Sequence, residues 1–186
     1  MKEMLDREIN RESLKNAAKL LYDINYMVFF GTALGIHRDG DVLLEDDDVD
    51  LLAASEEYQN IKSRLLANGY DLSINVEGVF CQYTKKVNGK TALLDFYFYN
   101  YHDLDHVIER WNFSGAYSDP SNYLVIPNSI LFEIKTMDYF GTKLKIPNDL
   151  EAVCIWLYGE RYKEPLKKDI DYDHRVTNNK PEIVYK

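Results

Sequence analysis

The sequence predicts an α/β (α+β) protein, a short mixed sheet with helices packed on it. Three observations carry this. Two apolar runs, Tyr26 to Phe30 and Val49 to Ala54, are each short and bounded by turn or polar residues, the pattern of buried strands. Asn88-Gly89 between two further strand-like runs is a strong hairpin signal. Between the strands, apolar residues recur every three to four positions, the spacing of amphipathic helices. At 186 residues the chain suits one domain with a sizeable core, expected over residues 1–175. Residues 176–186 lack periodicity and are expected to form a mobile tail. No internal repeat, linker or low-complexity segment is visible.

Taken in order, Leu14, Ala17, Ala18, Leu21 and Ile24 share one face of a helix expected over 12–24. It leads into a strand at 26–30 that ends at Gly31-Thr32. A short helix is expected over Thr32 to Arg38, and Asp39-Gly40-Asp41 reads as a turn. The strand at 49–54 follows. Ser55 can cap a helix over 56–68, stopped by Gly69. Strands are expected near 70–74 and 79–86, and the Asn88-Gly89 turn launches another at 91–99. Residues 101–122 are less regular. His102, Asp103, Asp105 and His106 match no zinc spacing and read as a solvated helix start. Trp111, Phe113 and Tyr117 are free either to stack on a base or to cap the core. Residues 130–146 alternate around Gly141 as a hairpin. A final helix starts after Pro147, with Asn148 as cap and Glu151 three residues on; Leu150, Val153, Cys154 and Leu157 form its apolar face, and Gly159 ends it.

Chemistry concentrates at residues 46–50. Asp46, Asp47, Asp48 and Asp50 put four carboxylates within five residues. Such charges repel strongly at short range, so a fold that gathers them needs a cation to share. Asp48 and Asp50 are two apart at the start of a strand and therefore point to one face. Asp95 lies in the middle of Leu93-Leu94-Asp95-Phe96-Tyr97-Phe98, where a charge is costly unless paired or metal-bound. Gly31 and Thr32 at a strand end are suited to approach a phosphate, and Arg38 can bind a diphosphate bidentately or clamp nearby aspartates. His37 reads as a surface residue.

The order strand, Gly-Thr, short helix, Asp-x-Asp strand resembles the DNA polymerase beta-like nucleotidyltransferase superfamily. Within it, Gly31-Thr32-x-Leu34-Gly35-x-x-Arg38 followed by Asp46-Asp47-Asp48-Val49-Asp50 resembles the LicD/fukutin family. The likeness is dense over 29–52, moderate over 93–98 and 139–165, and weak over 100–130. It implies the polymerase beta-like fold and a transferase that moves phosphocholine or a polyol phosphate from a CDP-linked donor to a glycan hydroxyl, releasing CMP. It implies Mg2+ or Mn2+ held by Asp48, Asp50 and Asp95, with Asp95 as ligand or base, Asp46 and Asp47 as auxiliaries, and Gly31, Thr32 and Arg38 on the donor phosphates. Two alternatives stay open: transfer of a nucleotide from a nucleoside triphosphate with release of pyrophosphate, and a non-catalytic domain of the same fold.

Composition narrows the partners. A net charge of −9 argues against nucleic-acid binding, which needs a basic footprint. No apolar run approaches the roughly 20 residues of a membrane span, although peripheral contact with a lipid-linked acceptor stays open. No signal peptide is visible. Cys81 and Cys154 lie in apolar patterns without metal spacing and read as buried thiols, which suits a cytoplasmic location.

Overall fold

The computed structural model of the chain describes residues 2–111, 123–166 and 184–185. Its organising element is β5 (Lys90–Tyr101), which follows β1 (Tyr26–Val28), β2 (Asp50–Ala54), β3 (Asp71–Val76) and β4 (Phe80–Val87). β5 runs parallel to β2 along one edge. Its other edge pairs antiparallel with β4 and, at its end, with β6 (His106–Glu109). The sheet continues to β7 (Tyr123–Pro127), while β8 (Lys135–Tyr139) and β9 (Thr142–Ile146) form a separate hairpin. The two-residue β10 (Val184–Tyr185) pairs with β7. The rest of 176–186, and with it the expected mobile tail, lies outside the described residues, as do Phe113 and Tyr117.

Helices cover both faces of the sheet. α1 (Lys2–Leu20) and α3 (Tyr58–Ala67) bury Leu14, Ala17, Ile61 and Leu65 against Leu51, Ala53, Phe96 and Phe98. On the other face, α5 (Leu150–Tyr158) packs Val153, Cys154 and Leu157 against Leu52, Phe80, Tyr97 and Tyr99. α2 (Phe30–Asp39) feeds both clusters, through Ala33 and Ile36 on one side and Phe30 and Leu34 on the other. The single turn α4 (Asn128–Leu131) adds Leu131. Burial of each such large side chain stabilises by about 1.5–3 kcal/mol.

Several boundaries depart from expectation for identifiable reasons. α1 reaches back to Lys2 and ends at Leu20; its first half carries many charges, which hid its period. Residues 21–25 form a turn, so Ile24 and Tyr26 reach the core. Ser55 does not cap α3. It opens a 3-10 turn, Ser55–Glu57, and its hydroxyl accepts from Asn100 at 2.6 Å. The cap of α5 is Asp149, whose side chain accepts from the Ala152 N–H at 2.9 Å, one residue after Asn148. The His102–His106 region is no helix start but the turn between β5 and β6, where Asp103 accepts from the Asp105 N–H and faces the His106 ring. The Asn88-Gly89 turn is as expected: both residues have positive φ (49° and 81°), the requirement of a type I′ turn.

The loop between α2 and β2 is tied down by one buried carboxylate. Asp41, after the left-handed cap Gly40 (φ 70°), accepts from Arg11, from the Tyr139 hydroxyl at 2.6 Å and from the Val42 N–H at 2.9 Å. Arg7 lies 3.1 Å away. Burial alone would raise its pKa, but Arg11, Tyr139 and the Val42 amide together hold it below the usual carboxylate range. A depressed pKa stabilises the fold above the unfolded value, near 3.9, and the benefit is lost as pH falls through the folded value. Asp41→Asn is therefore expected to cost about 2 kcal/mol at pH 7. Denaturant titrations should show that difference shrinking as pH drops below about 4.

Candidate active site

β2 and β5 are in register with Asp50 opposite Asp95, Leu51 opposite Phe96 and Leu52 opposite Tyr97. The ladder extends one residue back, since the Val49 N–H donates to the Leu93 carbonyl and the Asp95 N–H to the Val49 carbonyl. Residues opposite one another in neighbouring strands share a face, so Asp50 and Asp95 stand side by side. Both are nearly buried, at 3% and 5% exposure.

Asp50 is held from three directions. The Gly31 N–H donates to its Oδ2 at 2.9 Å, and the Tyr97 hydroxyl to its Oδ1 at 3.2 Å. Its own backbone N–H donates to Thr32 Oγ1 at 2.8 Å. Gly31 and Thr32 lie inside the first turn of α2, not in a loop before it. Both therefore bond to Asp50: the Gly31 N–H to its side chain and the Thr32 hydroxyl to its backbone N–H. A carboxylate at a helix N-terminus is stabilised by the helix dipole and its free N–H groups. The turn is entered through Phe30 at φ 38°, a strained conformation for a bulky side chain. The rings of Phe29 and Tyr97 pack on Phe30 at 4.8 and 4.7 Å.

Asp46, Asp48 and Asp50 each bring one carboxylate oxygen within 4.8 Å of the others. That three-carboxylate group includes Asp46, expected only as an auxiliary, and does not include Asp95. Asp47 is exposed and lies outside that group. Asp95 stands beside the cluster, opposite Asp50. Burial, and next the charge of Asp48, push the Asp95 carboxyl up to about 7. Gln82, opposite it on β4, opposes the shift through a long contact from Nε2 to Oδ2 of 3.5 Å. Asp95 Oδ1 is buried and accepts no hydrogen bond among the described residues. An unpaired buried acceptor beside three converging carboxylates fits a hard divalent cation, which takes oxygen ligands. A carboxyl titrating near 7 also suits a proton acceptor.

Arg38 stands at the other end of α2, about 10 Å of helix from Gly31. Its guanidinium forks onto Asp39, with both bonds 2.8 Å. The clamp reading therefore describes its contacts better than the phosphate reading. His37 faces the Tyr162 hydroxyl at 3.1 Å, away from the carboxylates. Trp111 stacks on Phe80 with centroids 4.2 Å apart and planes 8° off parallel, and Phe80 in turn packs on Tyr97. Tyr97 and Gln82 were missed from sequence. Tyr97 is two residues beyond Asp95 and hence on its face. The Asn88-Gly89 turn sets Val87 opposite Lys90, which places Gln82 opposite Asp95.

Residues 23–149 match the family model LicD/FKTN/FKRP, nucleotidyltransferase domain. No curated protein matches the chain significantly. Among solved structures, it is similar to the lincosamide antibiotic adenylyltransferase LnuA with lincomycin bound, at 14% identity and a TM-score of 0.48, over 68% of this chain and 72% of that one. It is also similar to ANT(2")-Ia in complex with adenylyl-2"-tobramycin, at 15% identity and a TM-score of 0.45, over 76% and 69%. Among the described residues, no helix is long and apolar enough to cross a membrane.

Proposed function

Because this chain belongs to the LicD/FKTN/FKRP nucleotidyltransferase-domain family and is on that ground a transferase, we propose that it moves phosphocholine or a polyol phosphate from a CDP-linked donor to a glycan hydroxyl, releasing CMP. The observation that carries the reading is the β2–β5 register. It sets Asp95 beside Asp50 of the Asp46, Asp48 and Asp50 cluster. Asp46, Asp48 and Asp50 would hold the cation, Mg2+ or Mn2+, with Asp95 adjacent to it. Such an ion neutralises donor phosphate oxygens and stabilises charge at the attacked phosphorus.

The chain's own groups do the rest. The Gly31 N–H and Tyr97 hydroxyl fix both oxygens of Asp50, so its orientation is set before the donor arrives, which is where such sites gain rate. Asp95, beside the cation, accepts the acceptor hydroxyl's proton. Phe80 and Trp111 stack in series behind Tyr97, whose hydroxyl bonds Asp50.

A second reading, nucleotide transfer from a triphosphate, is favoured by the nucleotidyltransferase domain that the family model describes. The two share the cation chemistry and differ in which phosphorus lies in line with the hydroxyl. Incubation with Mg2+ and CTP, ATP, CDP-choline, CDP-ribitol or CDP-glycerol, followed by product analysis, separates them. CMP from a CDP-linked donor is the expected outcome, with slow donor hydrolysis even when no acceptor is added. Pyrophosphate from CTP or ATP, with no CMP from any CDP-linked donor, would replace the first reading by the second.

A further inference from the structure

We infer that Asn10, on a helix that precedes the family-matched residues 23–149, is a positioning residue for the carboxylate cluster. Its amide is 2% exposed and donates to the backbone carbonyl of Asp46 at 2.8 Å, across 36 residues of chain. Asn10 does not act alone. Arg7 Nε donates to the Val42 carbonyl at 2.9 Å, and Arg11 grips the Asp41 carboxylate. Residues three and four apart share a helix face, so one stripe of α1 holds the segment 41–46 at three places.

That segment needs holding. It has no ladder partner of its own, since β2 begins only at Asp50. It leads into the cluster of Asp46, Asp48 and Asp50, whose carboxylates repel one another until a cation is shared. A buried amide is costly unless it is hydrogen-bonded, and a core position on α1 would be filled more cheaply by an apolar residue. The amide here pins the main chain of Asp46 while leaving its carboxylate to face Asp48 and Asp50. Helix α1 thereby acts on the geometry of the cation site from outside the family-matched segment. This inference rests on the reading that Asp46 helps to hold a divalent cation.

Calorimetric titration of Mg2+, and separately Mn2+, into the wild type and three variants tests it without any donor. Asn10→Ala is expected to weaken cation binding about tenfold, the scale seen when a group that orients a metal ligand is removed. Arg7→Met, which leaves no buried position empty, is expected to weaken it in the same direction and keeps the test decisive should Asn10→Ala fail to fold. Arg64→Met removes contacts to Asp23 and the Leu20 carbonyl, away from the cluster. It should lower the melting temperature and leave cation affinity unchanged. Wild-type affinity in both Asn10→Ala and Arg7→Met would overturn the inference and leave α1 a packing element. A wild type that binds neither cation would overturn the metal reading and this inference together. Cation binding without turnover of any CDP-linked donor would count against the proposed donor alone.

Discussion

Gly35→Ala is expected to destabilise the protein by about 3 kcal/mol or more and to weaken cation binding at the same time. In an ordinary helix interior the same change stabilises by about 1 kcal/mol, because alanine is the better helix former. Here a Cβ at position 35 would lie 2.6 Å from the Asp41 carbonyl oxygen, 2.7 Å from the Leu43 nitrogen and 3.1 Å from the Val42 carbonyl carbon. All three are backbone atoms and cannot rotate aside. Either α2 or the 41–43 segment must move. α2 supplies the Gly31 N–H to Asp50, and the segment leads directly to Asp46 and Asp48. The glycine of the Gly31-Thr32-x-Leu34-Gly35 motif is thus required for a close approach of main chains and not for a turn. Urea titration of the variant should show a lower midpoint at unchanged slope. Gly40→Ala is a useful contrast, since a Cβ there would meet nothing within 4 Å and its cost would arise only from φ 70°. A Gly35→Ala midpoint at or above wild type would mean that helix and loop are not in contact in solution.

Asp48→Asn and Asp50→Asn are each expected to reduce transfer on the order of a thousandfold or more, with little loss of stability in cation-free buffer. Carboxylate oxygens within 4.8 Å of one another repel by on the order of 3 kcal/mol per pair at an effective dielectric constant of about 20. Removing one charge relieves part of this. The side-chain amide introduced by Asp50→Asn also keeps an oxygen for the Gly31 N–H, while its NH2 group can donate to the Tyr97 hydroxyl, so the local bonds survive. Melting curves with and without Mg2+ provide the check: the wild type should gain stability on adding the ion, and both variants should gain much less. Should both variants melt far below wild type without any cation, these aspartates serve the fold and not the chemistry.

How much of this was legible in the sequence depended on whether the signal was local. Strand alternation and the Asn88-Gly89 turn are set by neighbours, and they located β4, β5 and the shared face of Asp48 and Asp50. Asp95 was found because a charge in an apolar run has few explanations. What escaped depended on contacts between distant segments. Arg7, Asn10 and Arg11 look like the polar face of any surface helix; only the folded chain shows the 41–46 segment lying against them. Asp41 read as a turn residue, because a buried ion pair with Arg11 and a hydrogen bond from Tyr139 leave no local pattern. The helix expected from Thr32 starts two residues earlier, at Phe30, and the bonds of Gly31 and Thr32 to Asp50, 19 and 18 residues on, leave no local pattern. Asp46 and Asp47 could not be separated from sequence; in the folded chain one is buried and the other exposed.

The β2–β5 pairing also sets an order of events in folding. The Tyr97 hydroxyl and the Asp50 carboxylate that it contacts are 47 residues apart in the chain, with α3, β3 and β4 between them. The β4–β5 hairpin closes over two residues and can form early, whereas a parallel pairing of distant segments must wait for a long loop to close. Asp95 is therefore expected to meet Asp50 of β2 late in folding. Repulsion that arises after the rate-limiting step burdens the unfolding rate and leaves the folding rate nearly untouched. The electrostatic tension of this site is thus expected to shorten the lifetime of the native state, and Asp50→Asn should slow unfolding in metal-free buffer with little change in the folding rate.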